Sequence, residues 1–92
     1  MARWFYDRNS KLALYLYGPH QHGHRLPHIH VRQNGQELAS FNIDGSKLAG
    51  DCGKLNNAII KLIMRNQLHL KDSLELLMQG KEITEVEDSL DD

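Results

Sequence analysis

The hydrophobic period of this 92-residue chain changes once, near Gly50, and that change limits the folds open to it. Upstream, apolar residues alternate or form short runs between turn residues. Residues 12–17, Leu-Ala-Leu-Tyr-Leu-Tyr, are rich in strand formers and predict a strand. Trp4 to Tyr6 adds a short strand before it. Residues 28–32 alternate polar and apolar, the pattern of a half-buried strand. Asn34-Gly35 then supplies a two-residue hairpin turn, because a type I′ turn requires positive φ at both central positions. Residues 37–43 predict the next strand, with Ala39, Phe41 and Ile43 on one face. Asp44-Gly45 is a second hairpin signal, and residues 47–49 add a last short strand.

Downstream the period becomes helical. Leu55, Ala58, Ile59, Leu62 and Ile63 recur at the spacing of one helix face, with Lys54, Asn57, Lys61 and Arg65 on the other. Leu70, Leu74, Leu77 and Met78 repeat the pattern, so a second helix is expected from near Lys71, with residues 66–70 as the junction. Hairpins alone are marginal in water and need cover for their apolar face. The expected fold is therefore α+β: a small antiparallel β-meander of three to four strands with two C-terminal helices packed on one face. It forms a single domain over residues 1–80, followed by an acidic, mobile tail over 81–92.

The formal net charge of −1 conceals a division. Residues 1–81 hold all eleven Lys and Arg against six acids, a net of +5, and residues 82–92 hold six acids and no base. A basic body admits nucleic acid as a partner, with Lys54, Lys61 and Arg65 on one helix face and Arg25 and Arg32 elsewhere. The acidic tail then serves as an intramolecular screen, a docking segment or a solubility tail. Trp4, Phe5, Tyr6, Tyr15 and Tyr17 offer either core packing or a stacking surface. No apolar run reaches the roughly 20 residues of a membrane span, and the opening Met-Ala-Arg-Trp-Phe-Tyr-Asp lacks the pattern of a signal peptide. Cys52 is the only cysteine, which excludes an intramolecular disulfide and favours a cytoplasmic location. Its place before a helix allows a lowered thiol pKa, though no base lies nearby in sequence.

Six histidines are the other compositional excess, five of them between His20 and His30. With Ile29 and Val31 facing the core, His28, His30 and Arg32 fall side by side on the opposite face. Two strand steps separate successive members, so their Cβ atoms lie about 6.5–7 Å apart. His24, just upstream, is placed to fold back as a third ligand. Three neutral imidazoles with an open position form a catalytic zinc arrangement, and nickel or copper also accepts such a set. Arg32 and Arg25 are the candidate anion-binding residues. The competing reading is a polar loop and two histidines hydrogen-bonded across a sheet. His20 and His22 are weaker candidates, and His69 reads as a cap or a packed side chain.

His-apolar-His also occurs in other motifs. Histidine-triad hydrolases require a third alternating His where this chain has Arg32. Rolling-circle nucleases place a nucleophilic Tyr after the motif, whereas Tyr6, Tyr15 and Tyr17 all precede it. Cupins add a Glu a few residues on, and Glu37 lies beyond the Asn34-Gly35 turn.

His24-Arg-Leu-Pro27-His28-Ile-His30-Val31, after an aromatic-rich strand, resembles the hallmark of a small prokaryotic family, domain of unknown function 4160. That hallmark typically reads Asp-His-Asn-Pro-Pro-His-aromatic-His-Val. His24, Pro27, His28, His30 and Val31 match it. Gly50 matches a glycine before the family's first helix, and His69 and Leu74 its later His and Leu. Gly23 stands where the family has an acid, Leu26 where it has a proline, and the late Trp is absent. The resemblance spans roughly residues 10–80. It implies no established activity, and a partner: such proteins often form one half of a two-gene cassette, likened to toxin–antitoxin pairs. The expectation is thus an interaction module that binds a small co-encoded protein, with His24, His28 and His30 at its centre. A metal-dependent hydrolase or nuclease using the same three histidines with zinc or nickel is the alternative, and a nucleic-acid-binding module is the third reading. No complete catalytic set is visible.

Overall fold

The computed structural model describes residues 2–18 and 27–90. Five strands form one antiparallel sheet in chain order: β1 (Ala2–Asp7), β2 (Leu12–Tyr17), β3 (His28–Gln33), β4 (Gln36–Asn42) and β5 (Lys47–Gly50). A 3-10 turn at Gly53–Leu55 leads into α1 (Asn56–Arg65), and α2 (Gln67–Met78) follows. The fold is the expected α+β meander with two C-terminal helices, but with five strands where three to four were expected.

The additional strand is β1, which the sequence offers only as a short piece from Trp4 to Tyr6 and which runs from Ala2 to Asp7 with a bulge inside it. Trp4 and Phe5 are adjacent bulky residues, and both join the single core cluster, whereas successive residues of a regular strand point to opposite faces. Register shifts between Arg3, opposite Tyr15, and Phe5, opposite Leu14, so Trp4 is the inserted residue. A bulge of this kind turns two successive side chains to one face. The aromatic pair is therefore core rather than a stacking surface.

Both expected turns form. Asn34 and Gly35 have φ of 52° and 80°, the left-handed pair that a type I′ turn requires. The Asp44-Gly45 turn is longer by one residue: Gly45 N–H donates to Asn42 O at 3.0 Å and Asn42 N–H to Ser46 O at 2.8 Å.

The core lies between one sheet face and the helices. Leu12, Leu14, Leu16, Ile29, Val31 and Phe41 meet Ile59, Leu62, Ile63, Leu70 and Leu74 in one buried cluster. The inward face of α1 agrees with the sequence pattern, with Ala58, Ile59, Leu62 and Ile63 buried. α2 differs in two respects. It begins at Gln67 rather than near Lys71, and Met78 is exposed. Asn66 alone makes the junction. Its side-chain amide donates to Leu62 O at 2.8 Å, and Gln67 Nε2 donates to Ile63 O at 3.0 Å and Ile43 O at 2.7 Å. The Asn66 amide thus serves a carbonyl in the last turn of α1, and Gln67 ties the start of α2 both to that turn and to the residue after β4.

The segment after Gly80 has no regular structure but lies along the domain. Val86 N–H donates to Trp4 O at 2.8 Å, and Val86 joins the core cluster with Ile83 and Leu90 packed against it. No helix among the described residues is long and apolar enough to cross a membrane.

Candidate functional site

The sheet face away from the helices carries Tyr15 and Tyr17 from β2 and His28, His30 and Arg32 from β3. Alternation puts them there once Ile29 and Val31 turn inward, as both do at 0% exposure. Register pairs Tyr17 with His28, Tyr15 with His30 and Ala13 with Arg32. His28 and His30 are side by side as the spacing predicts, with ring centroids 4.6 Å apart and edge to face. The Tyr17 ring stacks on His30 at 4.4 Å and meets the edge of His28 at 5.1 Å. His28 is 1% exposed, so it is a buried member of the cluster rather than a surface group.

Glu37 is the residue that sequence reasoning set aside. Its Oε1 lies 2.5 Å from His30 Nδ1. An ionised carboxylate only accepts, so Nδ1 carries the proton and donates. Any further acceptor role of the His30 ring falls to Nε2. The register explains the contact: Arg32 pairs with Glu37 directly across the hairpin, one diagonal step from His30.

His24 and Arg25, proposed as third ligand and second anion-binding residue, lie outside the described residues, as do His20 and His22. Among the described residues, no three His, Cys, Asp or Glu side chains gather closely enough to hold a metal ion. Arg32 lies beside the histidines at the far end of the same row. Its Nε is buried and meets no hydrogen-bond acceptor among the described residues.

His69 is partly buried and packs against the core. Trp4 Nε1 donates to His69 Nδ1 at 2.9 Å, and Ser73 Oγ lies 3.3 Å from the same nitrogen. Cys52 does not have the lowered pKa that its place before a helix allowed. Burial pushes the thiol up, and the Asp51 charge adds to the effect. Asp51 itself is held below the ordinary carboxylate range by the backbone N–H of Gly53 and the Asn56 amide. It organises the start of the helical region rather than activating a nucleophile. Of the cations expected on the outer face of α1, Arg65 is engaged: Nε and Nη2 reach the two Asp88 oxygens at 3.0 and 2.9 Å. To that extent the acidic segment screens the basic body.

No curated protein and no solved structure matches the chain. One family model does, described as Domain of unknown function (DUF4160), and it covers residues 12–75. That match begins at β2, contains the Tyr17–His28–His30–Glu37 cluster and ends inside α2. With more than half of its length inside the match, the chain belongs to the DUF4160 family.

Proposed function

We propose that the chain is a cytoplasmic binding module, one half of a small co-encoded pair of the toxin–antitoxin kind, and that it meets its partner on the helix-free sheet face. The observation that carries this reading is the fixed cluster on that face. Tyr17 and His28 form a buried base, and they hold His30 and the half-exposed Glu37 in one geometry. Side chains locked before binding lose little freedom on contact, which favours recognition. A second reading, a metal-dependent hydrolase or nuclease, is favoured by the His30–Glu37 pair. A carboxylate on one imidazole nitrogen orients the other towards a metal. His28 and His30 would be ligands for zinc or nickel, with His24 the third that the sequence offers.

Co-expression with the small co-encoded partner that this reading requires, followed by size-exclusion chromatography, tests the first reading. A complex should co-elute, and His30→Ala and Glu37→Gln should each weaken it at least tenfold. Failure of the wild-type pair to associate ends that reading. Calorimetric zinc binding that disappears in His30→Ala, in a protein that forms no such complex, would favour the second.

A further inference from the structure

Beyond the histidines, the same sheet face ends in a cleft of about 230 Å³ at the turn end of β1–β3. Arg3, Lys11 and Arg32 converge on it, Tyr6 and Tyr15 line its sides, and the Asn34-Gly35 turn forms its rim. None of its lining residues is acidic. Three further observations bear on it.

First, Arg32 Nε is buried and lacks an acceptor among the described residues. A desolvated guanidinium N–H is costly unless something accepts from it. Glu37, opposite Arg32 in the sheet, is committed to His30. Second, Lys11 has φ 63°, in the left-handed region that non-glycine residues rarely occupy. Such backbone concentrates at binding sites, where the surroundings hold it in place. Here the hold is visible: Gln33 Nε2 donates to Ser10 O at 2.7 Å and ties the Lys11 turn to the Asn34-Gly35 turn. Third, Arg3 already binds an oxyanion. Its Nε lies 2.5 Å from Glu85 Oε1, and its guanidinium stacks on Tyr6 at 4.7 Å.

We infer that this cleft is a binding site for the phosphate group of a small phosphomonoester, and that Glu85 of the acidic segment competes for one of its three cations. Guanidinium forks match phosphate oxygens in pairs, and Lys adds a point charge. The three cations meet at one cleft rather than following a groove. That arrangement suits a single dianion better than the backbone of a nucleic-acid strand, which needs a track of charges. The inference requires neither a metal at the histidines nor a protein partner.

Amide NMR titration of the full chain tests it, with inorganic phosphate as the probe and chloride at matched ionic strength as the control. Phosphate should shift the Lys11, Arg32, Asn34 and Gly35 amides saturably, and chloride should not. Arg32→Gln should weaken binding at least tenfold, and Glu85→Gln should tighten it about threefold to tenfold. Lys11→Gly removes one charge while relieving the left-handed backbone, so it should weaken binding even if Arg32→Gln fails to fold. A small phosphomonoester should bind at least as well as phosphate. Shifts that follow ionic strength alone, or an unchanged affinity in Glu85→Gln, overturn the corresponding half of the inference. Tighter binding of an oligonucleotide without a terminal phosphate overturns the monoester assignment.

Discussion

Burying Trp4 completely brings one hydrogen-bond donor into the core, and His69 supplies its acceptor. Because Nδ1 accepts, the imidazole carries its proton on Nε2. His69→Ala should leave the indole N–H unsatisfied at a cost of about 1–3 kcal/mol. For a domain of this size each kcal/mol lowers Tm by roughly 4–8 °C. His69→Gln, which keeps an acceptor, should lose less, and thermal unfolding of both variants checks the difference; equal losses would mean that packing, not the bond, matters. A packed role for His69 was legible because it falls between two apolar helical runs. Glu37 was not recognised, although the signal was present. A two-residue turn at Asn34-Gly35 pairs Gln33 with Gln36 and Arg32 with Glu37, which brings Glu37 within a diagonal of His30. Separation along the chain concealed a proximity that register creates.

Between β3 and β4, turn chemistry and hydrophobic pattern conflict unless the strand contains a bulge. Carried on without interruption, the Asn34-Gly35 turn would set Ile29 opposite Ser40 and His28 opposite Phe41, putting Phe41 on the outer face. A one-residue shift reverses every face. The structure inserts Leu38, so Val31 pairs with Ala39 and Ile29 with Phe41, and both pairs enter the core. The outer row of His28, His30 and Arg32 keeps Glu37 only because the shift occurs after it. Strand positions were therefore readable from alternation, whereas the bulges at Trp4 and Leu38 depend on pairing across strands. Gly50 shows what a glycine does at such a crossing. Its φ is 75°, and a Cβ there would lie 2.2 Å from Leu38 O and 2.7 Å from Ala39 Cα. Gly53 shares the left-handed backbone, with φ 60°, but a Cβ would meet nothing within 4 Å. Gly53→Ala should cost about 1 kcal/mol for the backbone alone. Gly50→Ala should cost distinctly more, since β5 must move off β4, and urea unfolding of the two variants separates clash from conformation. Equal midpoints would show that the β4–β5 edge gives way freely.

At the scale of the whole molecule, the division between basic body and acidic end becomes a set of contacts. Val86 N–H bonds to the outer edge of β1, Glu85 pairs with Arg3, and Asp88 takes a fork from Arg65 and a hydrogen bond from Asn66. An edge strand with open backbone groups is a template for association, and covering it limits that. Composition pointed to an acidic, mobile tail because Ile83, Val86 and Leu90 are few and widely spaced. What holds them is supplied by residues some twenty to eighty positions away, which no local pattern reveals. The Arg65 guanidinium beside Asp88 holds its carboxyl well below the usual carboxylate range; burial opposes the effect, and hydrogen bonds from Asn66 and the Ser89 N–H add to it. In the unfolded chain the same carboxyl titrates near 3.9. A depressed folded pKa gives a contribution that is complete above the unfolded value and is lost as pH falls through the folded one. The pair is partly exposed, so its worth should stay within about 1 kcal/mol. Asp88→Asn should therefore lower Tm by a few degrees at pH 7, and the gap should close progressively below about pH 4, as the wild-type carboxyl protonates. Molar salt at neutral pH should narrow the same gap, because a pair open to solvent is screened. A gap that stays constant from pH 7 to pH 2 would mean that Asp88 anchors the segment by shape and neutral hydrogen bonds, with its charge contributing nothing.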